Sequence, residues 1–409
     1  MSVPLDRLYD YLYGLCNHND ILIYRWYPHG SRKREHCTWL VGKQNLPFFD
    51  RITRPYLVCH DQEPLDFAWY QTIPKNTLHD LVNCRYSAYD RLLLLHSEKR
   101  SRELAKFEQD DAIGVYYWSH AVIARDWFRY ANHDLGLNTS APNQDFLVYN
   151  RAWNGTREYR LKFAERIVDN ALDSHCRMNF SVDDGIPYTH HQFKNNNLKI
   201  ARTDLERFFI ANNAKSCFSA DYDTLDYSQT RVEIVLETLF DDSRWHLTEK
   251  TLRPIACGKP FILAATPGSL DYLRSYGFQT FGQWIDESYD NIADPRERLI
   301  AVVKEMKKFA NLSPEEKQQM CQQMQAVCDH NRAHFFSDAF LNQVLEEFTT
   351  NLDRALAISK QQCSARWLKI VLRSAGSVER FISRENSNPV ITREDLAKFW
   401  QWFWIRNPK

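Results

Sequence analysis

The stretch Leu247-Thr248-Glu249-Lys250-Thr251-Leu252-Arg253-Pro254-Ile255-Ala256-Cys257-Gly258-Lys259-Pro260-Phe261-Ile262-Leu263 decides how the rest of the chain is read. Hydroxyl-bearing and charged residues open a short helix, Gly258 closes it, and Pro260 leads into an apolar strand at 261–265. A helix N-terminus carries unpaired N–H groups and a partial positive charge, so it attracts phosphate. Lys250 adds a cation there, and Glu249 can accept two hydroxyl hydrogen bonds of the kind a ribose diol offers. Arg253 is a further phosphate contact in this reading, with Thr248 and Thr251 beside it. Pro254 either moves the helix start to about Arg253 or kinks the helix. The bland alternative for Glu249 and Lys250 is an adjacent surface pair without function.

Outward from this stretch, short apolar runs alternate with longer amphipathic segments. Runs at 21–24, 56–59, 92–95 and 114–117 read as strands, and so do 146–149, 216–219, 232–236 and 261–265. Such runs bounded by helical stretches point to parallel sheets covered on both faces. Helical periodicity runs from 158 to 172, Pro314 opens a helix behind the cap Ser313, and further helices follow at 335–358 and 393–404. The expected architecture is α/β. An N-terminal Rossmann-like domain covers 1–140, a second covers 145–335, and a helical extension covers 336–409, with the linker at 138–144. Ligands of open α/β sheets bind outside the carboxyl ends of the strands, so the polar residues after each strand matter most.

Composition narrows the class. A chain of 409 residues suits two domains of roughly 150–200 residues. Lys and Arg number 52, as do Asp and Glu, so no global field draws the chain to nucleic acid, although a local basic patch at 31–36 remains. Twelve glycines and no G-x-G-x-x-G or P-loop pattern argue against a glycine-rich dinucleotide fold. The ten cysteines sit singly, which reads as a reducing compartment. No signal-peptide pattern opens the chain and no apolar run reaches membrane length, so a cytoplasmic protein without a membrane partner is expected.

Titratable groups cluster behind the first four strands: His29, His60-Asp61-Gln62-Glu63, His96-Ser97-Glu98 and Trp118-Ser119-His120. Asp61, Glu63 and His120 are the candidates for a general base that takes a proton from an acceptor hydroxyl. Helix capping by Asp61 and Ser97, and simple packing of His120, are the structural alternatives. In the second half, Arg151, Arg157 and Arg160 crowd a helix start, where cations oppose the macrodipole. A bound diphosphate would resolve that conflict through forked hydrogen bonds, and ion pairing with Glu158 is the alternative. The acidic run 286–290 reads as a solvated turn, with a metal site as the lesser possibility. The aromatics Phe399, Trp400, Trp402, Phe403 and Trp404 read as a buried helix.

Taken together, Thr248-Glu249-Lys250 and Ala256-Cys257-Gly258-Lys259-Pro260 resemble the donor-site motif of GT-B glycosyltransferases of the fucosyltransferase and exostosin type. Tyr149-Asn150-Arg151 with Arg157 resembles the segment that opens the donor domain in related enzymes. The wider pattern over about 20–300 is similar to glycosyltransferase-like proteins of large tailed bacteriophages; it includes His60-Asp61-Gln62-Glu63-Pro64, Trp118-Ser119-His120 with Arg125-Asp126-Trp127, and Gly277-Phe278-Gln279-Thr280-Phe281. The resemblance implies two Rossmann-like domains, the donor held in the C-terminal one, and no metal or other cofactor beyond a nucleoside-diphosphate sugar, UDP-sugar in the first place. It implies Glu249 on the ribose, and Lys250, Arg151 and Arg157 on the diphosphate. The acceptor it implies is a hydroxyl, with hydroxymethyl-pyrimidine in double-stranded phage DNA as the leading choice and a glycan as the alternative; a phage-encoded enzyme would work in the host cytoplasm. A non-catalytic nucleotide- or glycan-binding protein of the same shape and a sugar-nucleotide epimerase are the rival readings. Glu237 and Glu249 stand twelve residues apart, unlike the paired glutamates of α-retaining relatives, which points toward inversion.

Overall fold

The structure is a computed structural model that describes residues 91–109, 112–138, 142–150, 157, 159–180, 213–216 and 218–374, with shorter pieces at 14, 16, 21–26, 38–40, 55–60 and 62–67. Asp61, Arg151, the basic segment 31–36, His29 and the aromatic helix expected at 393–404 lie outside the described residues. The fold is α/β, and the described residues form two sheets. Among the described residues, no helix is long and apolar enough to cross a membrane.

The first sheet has five strands: β1 (Leu22–Trp26), β2 (Thr38–Leu40), β3 (Tyr56–His60), β4 (Leu92–His96) and β5 (Ala112–Tyr116). Their order is β2-β1-β3-β4-β5, parallel except for the antiparallel edge strand β2. Leu57, Cys59, Leu93, Leu95 and Val115 are fully buried. Between them in sequence, Val58 and Leu94 pack with Phe107 of helix α1 (Leu104–Gln109). Apolar residues on both faces are what a covered parallel sheet demands.

After β5 come α2 (Ser119–Trp127), β6 (Gln144–Asn150), α3 (Tyr159–Asp169), β7 (Cys176–Phe180), α4 (Thr224–Ser228), β8 (Thr230–Leu236), α5 (Glu249–Cys257), β9 (Phe261–Ala264) and α6 (Ser269–Arg274). Three longer helices follow: α7 (Pro295–Ala310), α8 (Pro314–Phe336) and α9 (Asp338–Ser374). The second sheet runs β7-β6-β8-β9, all parallel, and buries residues such as Phe146, Ile234 and Leu263.

The compact units differ from the expected boundaries. One comprises Tyr9–His96, Glu103–Tyr117 and Glu347–Lys409; the other comprises Met1–Leu8, Ser97–Arg102 and Trp118–Glu346. The chain therefore changes unit at Trp118, ahead of the 138–144 linker. Trp118 explains why: it is fully buried, its Nε1 donates to Leu247 O at 2.9 Å, and its ring packs on Tyr272 and Tyr276. Arg125 on α2 reinforces this by donating to the carbonyls of Phe335, Phe336 and Ser337 at the junction of α8 and α9.

Local expectations hold in part. The Ser313 cap is present as a full capping box with Glu316. The described residues of 216–219 form no strand; the amide of Ser216 is instead captured by Asp226 Oδ2 at 3.1 Å. A strand not among those expected is β7, whose Arg177 pairs with Asp226 at 2.5 Å. The helix expected over 335–358 is interrupted at Ser337, between α8 and α9.

Candidate functional site

The site is built on the carboxyl edge of the second sheet. β8 ends at Leu236, and the next residue, Glu237, is wholly buried. Its carboxylate accepts from Thr248 N at 2.9 Å, Thr248 Oγ1 at 2.8 Å, Thr251 Oγ1 at 2.6 Å and Thr238 N at 3.1 Å. Those bonds fasten the first turn of α5 to the end of β8. Thr248 is the N-cap, and its hydroxyl also accepts from Lys250 N at 3.3 Å. The helix thus begins at Glu249 and runs through Pro254, whose missing N–H removes a single backbone bond. It ends at Gly258 in the left-handed region, φ 67°, where a side chain would be strained and a Cβ would stand 3.3 Å from Arg332 Nη1.

Glu249 and Lys250 sit side by side at that N-terminus, with Lys250 Nζ 3.2 Å from Glu249 Oε1. Lys250 Nζ also reaches Thr248 Oγ1 at 3.2 Å and Thr238 Oγ1 at 3.3 Å. The structure brings a third predicted residue to them: His120, in the first turn of α2, lies with Nδ1 2.9 Å from Glu249 Oε2. Burial opposes the Glu249 charge, yet Lys250 and the hydrogen bonds from His120 and Ser219 outweigh it and hold the carboxyl well below the usual range. Glu249 is therefore a carboxylate, with His120 oriented on one oxygen and Lys250 on the other. A carboxylate offers about four lone-pair sites, so it retains the capacity to accept a ligand hydroxyl.

The arginines divide differently. Arg253 is a correction to its assignment as a phosphate contact. Its guanidinium is buried, pairs with Glu233 at 2.5 Å, meets Tyr227 Oη at 3.2 Å and donates to the carbonyls of Phe218 and Ser219 at 3.2 Å each. Arg160 is likewise turned inward, donating to Asn150 Oδ1 at 3.2 Å and to the carbonyls of Leu236 at 2.7 Å and Glu237 at 3.1 Å. It ties the ends of β6 and β8 together at the start of α3. Burial lowers its pKa, and the nearby charge of Arg157 lowers it further. Arg157 is itself buried. Thr248 and Thr251 hold the helix through Glu237, as described above. Glu63, half-buried just after β3, belongs to the other compact unit.

Two residues have roles that are not legible in the sequence. Glu237 is placed there on the cleft side of the stretch 231–237 and noted for its spacing from Glu249, but not as the anchor of α5, which its bonds from Thr248 and Thr251 make it. His246 is the second. It is 2% exposed, and its ring is perpendicular to that of His120 with centroids 5.3 Å apart. Its Nδ1 lies 3.3 Å from Ser97 O and 3.4 Å from Ser97 Oγ. An antiparallel bridge between Lys99 and Trp245 and an ion pair between Glu98 and Arg244 at 3.1 Å fix the segment that carries it. The run Arg244-Trp245-His246-Leu247 has no periodicity or motif that singles the histidine out.

The acidic run 286–290 is structural. Asp286 caps a short 3-10 turn, and Asp290 accepts from the amides of Ser269 and Leu270 at 3.1 and 3.0 Å. Burial raises Asp290 to about 6. Among the described residues, no group of three or more His, Cys, Asp or Glu side chains is arranged to hold a metal ion. No protein-family model matches the chain, and none of the curated proteins matches it either.

Proposed function

We propose that the protein is a GT-B glycosyltransferase that moves a sugar from a nucleoside diphosphate, UDP first among them, to a hydroxyl acceptor. The observation that carries this reading is the convergence of Lys250, Glu249 and His120 at the N-terminus of α5, on the carboxyl edge of a parallel sheet. That edge is where open α/β sheets receive ligands. Lys250 and the helix N-terminus neutralise the diphosphate as the bond from the anomeric carbon to the phosphate oxygen breaks. His120, whose Nδ1 stands 2.9 Å from the Glu249 carboxylate, is the base that takes the acceptor proton while the acceptor oxygen bonds to the anomeric carbon. Asp61 and Glu63 stand as the alternative bases. Glu249 accepts from the ribose with its remaining lone pairs. Arg151 and Arg157 complete the diphosphate contacts in this reading, while Arg160 and Arg253 support the edge from behind.

The test is a thermal-shift screen of nucleoside diphosphates and their sugars against the intact chain, followed by product analysis with hydroxyl acceptors, hydroxymethylated double-stranded DNA and oligosaccharides among them. A ligand that binds only the folded state raises the melting temperature by an amount that grows with its concentration over Kd. Lys250→Ala should abolish transfer and weaken UDP binding. Turnover near the wild-type rate in that variant would remove the assignment.

A further inference from the structure

His246 is a buried histidine whose two nitrogens are in unlike situations. Its Nδ1 faces Ser97 O at 3.3 Å. A carbonyl oxygen only accepts, so Nδ1 carries the proton in that contact. Burial, the neighbouring His120 and the cations Arg244 and Lys250 all keep the ring neutral, well below the ordinary histidine range. A neutral imidazole protonated at Nδ1 has a lone pair at Nε2. That nitrogen is buried and has no hydrogen-bond partner among the described residues. Buried acceptors in folded proteins nearly always have a donor, and none of the described residues supplies one.

The location says what kind of donor it is. The ring stands 5.3 Å from His120, whose Nδ1 lies 2.9 Å from Glu249, the first residue of α5. The ring therefore lies one side chain away from the helix N-terminus that also carries Lys250. A phosphate oxygen there is an acceptor and is the wrong partner for Nε2. An ammonium group is disfavoured beside Arg244 and Lys250. The neutral donor that suits the place is a hydroxyl. We propose that His246 is a substrate-contacting residue whose Nε2 accepts a hydrogen bond from one particular hydroxyl of the ligand bound at the N-terminus of α5, and so selects for that hydroxyl. The inference rests on the donor-site reading above and adds a specificity-determining residue to it. Ser97 and the Lys99–Trp245 bridge act as positioning elements, because they hold the ring and the Ser97 carbonyl favours the tautomer protonated at Nδ1.

The probes are UDP, UDP-glucose and UDP-galactose, each compared by titration calorimetry with deoxy analogues in which one hydroxyl at a time is replaced by hydrogen. Wild type should lose about tenfold in affinity for one analogue only, the effect of a single buried hydrogen bond. His246→Phe should bind the parent about tenfold more weakly and no longer distinguish it from that analogue. Nitrogen NMR on the wild-type chain with isotope-labelled histidine is an independent readout that does not depend on the variant folding. The Nε2 resonance should be that of an unprotonated nitrogen in the ligand-free chain and should move when the parent ligand is added. If His246→Phe binds the parent within about twofold of wild type, or the Nε2 resonance is unmoved by a ligand that binds, Nε2 holds only a water and the inference fails while the donor reading stands. If wild type binds none of these nucleotides, the donor reading falls and the inference with it.

Discussion

The first turn of α5 and its second turn carry similar charges and do opposite things. In the second turn Arg253 meets Glu233, Tyr227 and two backbone carbonyls, so every charge is answered from within the chain. Just past the helix end, Lys259 Nζ is answered in the same way by the carbonyls of Tyr227 and Thr230 at 2.6 and 2.7 Å. In the first turn Lys250 meets two hydroxyls and a carboxylate that His120 shares, and among the described residues a nearby imidazole nitrogen lacks a donor. Residue type alone does not separate structure from site. What separates them is whether the hydrogen-bonding capacity is used up.

The largest effect is expected where the capacity is fully used. Arg253→Ala leaves Glu233 buried without its cation and should cost about 3–5 kcal/mol in denaturant unfolding. A loss below about 1 kcal/mol would show that the second turn is no lock. Next comes Lys259, whose burial lowers its pKa to about 8 from 10.5. A lysine with a depressed native pKa binds fewer protons folded than unfolded between those values, so wild type gains stability as pH rises from about 8 to 10.5 and loses it as pH falls. Lys259→Met should remove that slope, worth about 3 kcal/mol across the window; identical pH profiles for the two proteins would contradict it. In the first turn the ranking changes character. Lys250→Ala should weaken UDP binding by about 1.4–2.8 kcal/mol, or roughly 10- to 100-fold, while unfolding stays within about 0.5 kcal/mol of wild type. An equal loss of stability and binding would erase the contrast between the turns. The smallest effect sharpens it from a distance: Ser313→Ala breaks the capping box of α8, costs about 1 kcal/mol of stability, and leaves UDP affinity unchanged in the same titration.

Much of the fold is readable in the sequence because it follows local rules. Apolar runs mark β3, β4, β6, β8 and β9, and the pairing of Thr248 with Gly258 marks both ends of α5. β7 alternates apolar and polar residues as a strand does, but it is short, and the partner that makes Arg177 tolerable, Asp226, is distant in sequence. The site is readable in part for the same reason. Glu249 and Lys250 stand at a helix start, which is visible locally. That His120 touches Glu249 is a tertiary fact, as is the capture of Arg160 by strand-end carbonyls and of Arg253 by Glu233. His246 has no local signature at all; it matters through Ser97 and His120, each more than a hundred residues away.

The Glu237 clamp has a further consequence in time rather than in space. A carboxylate that accepts both the amide and the hydroxyl of Thr248 and the hydroxyl of Thr251 makes the first turn of α5 hard to open. The amide of Thr248 should rank among the slowest in the chain to exchange with deuterated solvent. A ligand arriving at such a surface finds it already shaped. Association rates should then vary little among related nucleotides, and selectivity should reside in how long each one stays.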